Sequence, residues 1–426
     1  MNTSVQAIEH TVVATLLQLI VIILFARVAG SAARAVRQPR AVGEVVAGLL
    51  LGPSLLGFLW PDLSGAIFSA DAAAPTLILS QIGLILLMFQ IGSDFEFGHL
   101  RDLRNRRAVV YISIASICVP LVVGLLLGLL TAPYLAPGID VLTYSLFVGI
   151  AFAITAVPVL GRILREYSLT RTETGVIAIT AAAANDVVGW VALAGVAAYA
   201  SARFSAGQSA LQIGGILLLL VVLWFVGRPT ADWLIRKLPI EDGLPSNGLV
   251  AVVLALIFAA GITTEKLGIF TIFGGFLVGL LFHRHHAFVE AWRRQIGQIV
   301  LVFFLPIFFT YTGLRTNVLG LDSASDWLWC GAILFTATAV KVLPVYVASR
   351  FAGIGGQQSA LLGVLMNTRG LMELIVLNIG FSLGFIPQDV FTMLVIMAIA
   401  TTVMTGPLLQ VMLPRAGYRI DKLIEA

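Results

Sequence analysis

The sequence of 426 residues is 59% hydrophobic and only 11% charged, with a net charge of +4 and a mean hydropathy of +1.00. Soluble globular chains carry about 25% charged residues, so the composition excludes a water-soluble protein and predicts one that crosses a membrane many times. The small positive balance comes from arginines in the loops between apolar runs, and we therefore expect the lipid bilayer and no nucleic acid as a partner.

Hydropathy predicts an all-α, polytopic membrane protein with 13 transmembrane helices. The whole chain, 1–426, is expected to form a single membrane transporter domain. In chain order the predicted spans are 11–28, 41–58, 75–93, 107–131, 141–163, 173–201, 209–227, 246–264, 267–283, 295–313, 327–349, 357–383 and 388–413.

The basic residues of the loops alternate between the two sides of these spans. Twenty-one lie after the odd-numbered spans, and only Arg203, Lys266 and Arg315 lie on the opposite side. Cytoplasmic loops carry the excess of Lys and Arg, so the N-terminus is predicted outside and the C-terminus in the cytoplasm of a cell membrane.

The fifth and twelfth spans are both predicted to be discontinuous. The fifth contains Thr155 and Pro158, and a proline removes one backbone hydrogen bond from a helix. The twelfth is interrupted by a polar stretch that ends at Gly370. Broken helices in matching positions of two halves indicate the ion site of a secondary transporter, although simple proline kinks are the alternative.

An internal repeat supports that pairing. The stretch 81–92, QIGLILLMFQIG, resembles 298–313, and 47–50, AGLL, resembles 278–281, VGLL. These pairs match the third span with the tenth and the second with the ninth. Because an odd number of spans separates the copies, the sequence predicts an inverted repeat.

The sixth span contains the pair Asn185-Asp186 in the middle of an alanine-rich run. A carboxylate at that depth costs roughly 2.5–3.5 kcal/mol on insertion scales, so Asp186 is a functional-site candidate. The alternative is a buried aspartate that only ties helices together. Asp186 can bind a proton or an alkali cation in turn, with the hydroxyl of Thr155, the amide of Asn185 and freed backbone carbonyls as further oxygen ligands.

Three more ionisable residues fall at membrane depth. Lys341, in the eleventh span, would pair with Asp186 when no cation is bound, or would contact the carbonyl end of a broken helix. Arg369 and Glu373 are four residues apart in the twelfth span and can form an ion pair. For all three, a structural role and a role in transport stay open.

The remaining motifs argue against chemistry of other kinds. Cys118 and Cys330 lie in apolar runs, which favours packing thiols over a disulfide or a metal site. No zinc, diphosphate or nucleophile-elbow motif is present, so we expect neither an enzyme nor a bound cofactor. His283, His285 and His286 end the ninth span, where a solvated cluster is favoured over a pH sensor.

Three stretches resemble the second cation/proton antiporter superfamily of bacteria and plants. These are AITAVPVLGRIL at 153–164, followed by AAAANDV at 181–187, and NTRGLMELIVLNIG at 367–380, which is similar to the plant cation/H+ exchanger subgroup. The resemblance implies an inverted-repeat fold in which two discontinuous helices cross beside the ion site. It also implies that Asp186 is the ion-binding aspartate and Lys341 the intramembrane lysine.

The same resemblance implies a division of the chain and a mode of transport. A dimer subdomain would comprise about 11–93 and 246–313, a linker helix 209–227, and an ion-transporting core 107–201 and 327–413. Members of the family are homodimers with elevator-like alternating access. This chain has Asn185-Asp186 where strongly electrogenic members have two aspartates, which favours electroneutral exchange unless Lys341 releases a second proton. No regulatory nucleotide-binding domain is expected within the sequence.

The favoured function is therefore antiport of a monovalent cation, Na+ or K+, against H+. A Na+-coupled symporter of an organic solute on the same fold is the alternative, but such a protein would require more polar side chains in the core spans than this sequence has.

Overall fold

A computed structural model describes residues 2–36, 38, 40–94, 103–169, 172–200, 214–215, 218–219, 221–238, 240–241, 243–267 and 271–418. Almost all of them are helical, as predicted. The α-helices in chain order are α1 Asn2–Ala35, α2 Arg40–Leu51, α3 Leu56–Leu59, α4 Pro61–Ile67, α5 Ala73–Ser93, α6 Leu103–Leu135, α7 Val141–Ala153, α8 Val157–Glu166, α9 Glu173–Ala200, α10 Arg228–Lys237, α11 Asn247–Lys266, α12 Thr271–Phe282, α13 His286–Trp292, α14 Leu305–Leu314, α15 Ala324–Phe351, α16 Gly356–Met366, α17 Leu371–Ser382 and α18 Gln388–Arg415.

Short elements of other kinds join these helices. π-Helical turns span Leu223–Gly227, Arg293–Gly297 and Val300–Phe304, and 3₁₀ turns span Ala70–Ala72 and Val318–Gly320. The strands β1 Ile240–Glu241 and β2 Leu244–Pro245 form a two-residue antiparallel pair. This pair is a local hairpin, because Gly243 supplies the positive φ of 74° that the turn needs.

The polytopic prediction is confirmed. Within the part of the chain that the structure describes, nine helical stretches are long and apolar enough to cross a membrane, and three shorter apolar helices accompany them. Every predicted span coincides with one helix or with consecutive helices, except 209–227, of which the structure describes only 214–215, 218–219 and 221–227.

The first predicted helix break lies between α7 and α8. The backbone leaves the helix at Ile154, whose ψ of 145° is extended, and α8 begins at Val157. Pro158 falls in the first turn of α8, where a backbone N–H has no partner within the helix and its loss costs nothing. Pro158 therefore helps to start the second half-helix instead of kinking a continuous one.

The second break separates α16 from α17 and depends on Gly370. Its φ of 135° and ψ of −120° belong to a region that is essentially restricted to glycine. A Cβ atom there would also lie 3.2 Å from Cγ2 of Val159 in α8. The two breaks contact directly, since the N–H of Ala156 donates to the carbonyl of Thr368 at 3.1 Å. The two crossed discontinuous helices are confirmed.

Glycine contacts repeat in the manner that an inverted repeat requires. In α5 and α12, a Cβ on Gly92 would collide with the Phe276 carbonyl, and one on Gly279 with the Phe89 carbonyl. In α2 and α14, a Cβ on Gly313 would collide with the Gly48 carbonyl. The third span thus packs on the ninth, and the tenth packs on the second. Because the repeat matches the third span with the tenth and the second with the ninth, these are the same contact made by equivalent helices.

The chain forms two compact units. The first comprises Met1–Leu24, Asp62–Glu96 and Ala197–Tyr311, and the second Phe25–Pro61, Phe97–Val196 and Thr312–Ala426. Both breaks and all the candidate site residues belong to the second unit. The division into a dimer subdomain and a core subdomain stays a prediction.

Candidate ion-binding site

Asp186 lies in α9, and only 4% of its surface is exposed. Within the described part of the chain, neither carboxylate oxygen has a hydrogen-bond partner. The groups that act on the carboxylate electrostatically are the backbone N–H of Val157, at the start of α8, and the Lys341 side chain. The positive end of a helix dipole stabilises a nearby anion, so the first break supplies part of the compensation that a buried carboxylate needs.

The neighbouring Asn185 connects the first break to α6. Its amide nitrogen donates to Ser116 Oγ at 2.9 Å and to Thr155 Oγ1 at 3.2 Å, and its amide oxygen lies 3.2 Å from the same serine hydroxyl. All three side chains are buried. The structure therefore uses the Asn185 amide to hold helices, and its predicted role as a cation ligand stays a prediction.

Thr155 extends that chain of hydrogen bonds to the second break. Its hydroxyl accepts from Asn185 and donates to the carbonyl of Met366, the last residue of α16, at 3.2 Å. A hydroxyl has one proton and two lone pairs, so one lone pair of Thr155 remains for a cation.

Lys341 is fully buried and contacts the carbonyl end of α7. Its ammonium donates to the carbonyls of Ser116 at 2.8 Å and of Ala153 at 2.5 Å. No hydrogen bond joins it to Asp186. Of the two arrangements considered for this lysine, the structure shows the one with the broken helix.

Arg369 and Glu373 form a buried ion pair, with 3.1 Å between guanidinium Nη1 and carboxylate Oε1. The same guanidinium donates to the carbonyls of Ala151 at 2.6 Å and of Phe152 at 2.9 Å. Glu373 lies in the first turn of α17, where a negative charge is favoured by the helix dipole.

The last three carbonyls of α7 are therefore all capped by cationic side chains from the other half of the chain. Arg369 donates hydrogen bonds to the carbonyls of Ala151 and Phe152, and Lys341 donates one to the carbonyl of Ala153. A helix end in a membrane has no water to satisfy its carbonyls, and it carries partial negative charge. The Arg369 and Lys341 side chains donate hydrogen bonds to these carbonyls and offset their partial negative charge, and they thereby hold the end of α7 beside Asp186.

Sequence reasoning missed two residues of this arrangement, Ser116 and Thr402. Ser116 supplies both its hydroxyl and its carbonyl to the network. Thr402, in α18, bonds to the backbone of Arg369. Both lie in apolar spans beside other hydroxyl residues, and no motif or spacing distinguishes them from those that bond only within their own helix.

The oxygen-rich surroundings fit an alkali cation as the transported substrate. Besides the two Asp186 oxygens, Oδ1 of Asn367 and Oγ1 of Thr368 in the second break are buried and have no hydrogen-bond partner among the described residues. Hard oxygen atoms of this kind suit alkali cations, whereas transition metals select histidine and cysteine. Within the described residues, no cluster of His, Cys, Asp and Glu could hold such a metal.

These features define a class of protein, because broken helices that cross beside a buried carboxylate at membrane depth are the hallmark of secondary ion transporters. The model of the family described as "Sodium/hydrogen exchanger, transmembrane" matches residues 20–414. The chain belongs to this sodium/hydrogen exchanger family, and the resemblance to cation/proton antiporters is confirmed.

Individual relatives agree with that assignment. The chain is 36% identical over 415 residues to the Na(+)/H(+) antiporter NhaS4 of Synechocystis, covering 96% of this chain and 99% of that protein. It is 34% identical over 406 residues to cation/H(+) antiporter 17 of Arabidopsis thaliana, covering 94% of this chain and 48% of the plant protein, about half its length.

A solved structure resembles the chain in fold. The sodium proton antiporter MjNhaP1 from Methanocaldococcus jannaschii superposes with a TM-score of 0.66 and 13% identity, with 99% of each chain covered. At that identity the likeness concerns the fold alone.

Proposed function

We propose that the chain is a secondary active antiporter that exchanges a monovalent cation, Na+ or K+, for H+ by alternating access. The observation that carries this proposal is Asp186, a buried carboxylate beside two crossing helix breaks, whose oxygens have no hydrogen-bond partner among the residues that the structure describes. The names of the related antiporters, which specify Na+ or a cation together with H+, support the same exchange.

Asp186 is the group that couples the two fluxes. With a proton it is neutral, and with a monovalent cation in contact the pair is neutral as well. The empty carboxylate is charged, and a charge in the membrane interior is costly. The transporting unit therefore changes its exposure with cation or proton bound and not when empty, which is the condition for exchange.

One carboxylate at this position favours electroneutral exchange of one cation for one proton. Asn185, which stands beside Asp186, cannot ionise, and its amide is engaged by Ser116 and Thr155. Lys341 is engaged by two carbonyls and keeps its proton during the cycle in this proposal. Clamping the membrane potential with valinomycin and K+ would then leave the exchange rate unchanged.

Purified protein in liposomes with an internal pH dye tests the exchange. Addition of NaCl, KCl or LiCl should move protons out of acid-loaded vesicles, and Asp186→Asn should abolish the response while the protein remains folded. Asp140→Asn is the matched control, because Asp140 is exposed at the N-terminus of α7 and asparagine caps a helix equally well. Wild-type exchange by Asp186→Asn, or no response of the wild type to any of these cations, would refute the proposal.

The ionisation of Asp140 explains why its substitution should not affect transport. The backbone N–H and the hydroxyl of Thr143 hold the pKa of the Asp140 carboxyl below its usual value, so it stays ionised through neutral pH. The Asp140 carboxyl therefore has no proton to exchange at neutral pH.

We further propose the arrangement that the family resemblance implies. The N-terminus would lie outside and the C-terminus in the cytoplasm of the cell membrane, as the loop charges favour. The protein would be a homodimer, with 11–93 and 246–313 as its dimer subdomain, 209–227 as linker and 107–201 and 327–413 as the moving core. Protease accessibility of tags in right-side-out vesicles tests the orientation, and mass measurement in detergent tests the dimer.

The organic-solute symporter finds no support among the relatives compared. Salts alone, with no organic solute present, should therefore change the vesicle pH, whereas a symporter of an organic solute would not respond to them.

A further inference from the structure

Thr402 is a buried threonine of α18 whose hydroxyl bonds to both backbone groups of a single residue in the second helix break. The N–H of Arg369 donates to Thr402 Oγ1 at 3.3 Å, and Oγ1 donates to the Arg369 carbonyl at 2.7 Å. Oγ1 also lies 2.9 Å from the carbonyl of Ala398 in its own helix. The single hydroxyl proton can serve one carbonyl at a time, and the Arg369 carbonyl is the nearer.

Neighbouring threonines of α18 do not make such bonds. Thr401 donates to Met397 and Ala398, and Thr405 donates to Thr401, so both hydroxyls satisfy carbonyls of their own helix. All three side chains are buried. Thr402 differs only in the direction it faces, which is toward the break.

The backbone of the second break needs such a partner because it has left the helical pattern. The Thr368 carbonyl is taken by the N–H of Ala156, and the Gly370 carbonyl by the N–H of Leu374 at the start of α17. Arg369 lies between them, and Thr402 provides the contacts for its N–H and its carbonyl. Buried backbone groups are nearly always paired, so this hydroxyl determines where the Arg369 backbone can rest.

The position of the Arg369 backbone controls the end of α7. From that backbone, the guanidinium reaches the carbonyls of Ala151 and Phe152, and the extended residues that follow α7 lead to Val157, whose N–H acts on Asp186. A shift of Arg369 is therefore passed to the groups around the carboxylate.

We propose that Thr402 is a positioning residue for the cation site: its hydroxyl clamps the second helix break onto α18 and thereby fixes the geometry around Asp186. This inference rests on the proposed antiport for its functional consequence, but the clamp itself is a property of the fold. Thr402 does not bind the cation in this proposal.

The test compares Thr402→Val, which keeps the shape and removes the hydroxyl, with Thr402→Ser, which keeps the hydroxyl. Thr401→Val and Thr405→Val are matched controls that remove a buried hydroxyl from the same helix. Each variant is reconstituted in liposomes, and the cation concentration for half-maximal exchange is measured together with the maximal rate. Hydrogen–deuterium exchange of residues 366–374 is measured on the same proteins.

The proposal expects Thr402→Val to raise the half-maximal cation concentration by roughly three- to tenfold, the effect of one lost hydrogen bond on an equilibrium, and to speed hydrogen exchange at 366–374. Thr402→Ser should restore both, and Thr401→Val and Thr405→Val should change neither.

Unchanged hydrogen exchange in Thr402→Val would overturn the clamp. Faster hydrogen exchange with an unchanged half-maximal concentration would overturn the positioning role. An equal effect of all three valine substitutions would show a general packing defect and would also overturn it. If the wild type itself shows no cation/proton exchange, the antiport proposal fails. The comparison of hydrogen–deuterium exchange still decides whether Thr402 clamps the break.

Discussion

Lys341 satisfies two buried carbonyls, and this contact determines what its removal should do. Replacement by methionine leaves the carbonyls of Ser116 and Ala153 without a partner, at a cost of about 1–3 kcal/mol for each. We expect Lys341→Met to lower the temperature at which the purified protein aggregates, as followed by size-exclusion chromatography after heating.

Lys266→Met is the control for that prediction, because Lys266 is exposed in the last turn of α11. Exposed substitutions usually change stability by no more than about 0.5 kcal/mol. Equal heat stability of Lys341→Met and the wild type would show that the carbonyl contacts do not hold α7.

The Arg369–Glu373 pair should respond asymmetrically to substitution. Removing one partner of a buried pair typically costs about 3–5 kcal/mol, because a charge is left uncompensated. Glu373→Gln leaves Arg369 with the carbonyls of Ala151 and Phe152, whereas Arg369→Met removes those two contacts as well. We expect a lower yield of monodisperse protein from Arg369→Met than from Glu373→Gln; the reverse order would mean that the arginine serves the glutamate alone.

The break between α16 and α17 depends on one glycine, and a methyl group tests it. Gly370→Ala forces a side chain into a φ of 135° and brings Cβ to 3.2 Å from Val159, whose helix α8 is fixed at the crossing. Such backbone strain costs about 1–3 kcal/mol before the contact is counted. We expect Gly370→Ala to reduce both folded yield and exchange.

Gly384→Ala is the matched control for that element. Gly384 follows α17, has a positive φ of 73°, and would place its Cβ in open space. It should fold and exchange close to the wild-type level, so similar losses in both variants would mean that positive φ alone, and not the packing at the crossing, limits the protein.

At the scale of the molecule, the two symmetric glycine contacts should be equally intolerant of a methyl group. Cβ atoms at Gly92 and at Gly313, which end the two matching stretches of the repeat, would each collide with a backbone carbonyl of the helix they pack against, and backbone cannot move as a flexible side chain does. We expect Gly92→Ala and Gly313→Ala both to lower the midpoint of heat unfolding.

Gly331 provides the comparison, since a Cβ there meets nothing within 4 Å and alanine favours a helix over glycine. Gly331→Ala should be neutral or stabilising. Tolerance of alanine at one of the two symmetric positions, but not at the other, would contradict the equivalence of the repeats.

The helices and their breaks were predictable because they depend on local chemistry. Long apolar runs mark spans, and a proline or a glycine next to polar residues marks a place where the helix cannot continue. The pairing of Arg369 with Glu373 was predicted from a shared helix face; the ion pair forms, although Arg369 lies in the break just before α17. These features need no knowledge of how the helices are arranged.

The contacts from side chains to distant carbonyls were not predictable. Whether Lys341 faces Asp186 or the end of α7, and whether Thr402 faces its own helix or the break, depends on how each helix is rotated about its axis. Asn185 shows the same limit, because its partner Ser116 comes from α6 and its partner Thr155 from the break between α7 and α8. Apolar spans with nearly uniform composition carry little information about that rotation.

The central claim is that one carboxylate, Asp186, takes a cation or a proton in turn. The direct measurement is the cation concentration for half-maximal exchange in liposomes as a function of pH. Competition for one site predicts that this concentration rises in proportion to the proton concentration at acidic pH, with the maximal rate unchanged. A half-maximal cation concentration that does not depend on pH, with only the maximal rate falling, would contradict the claim.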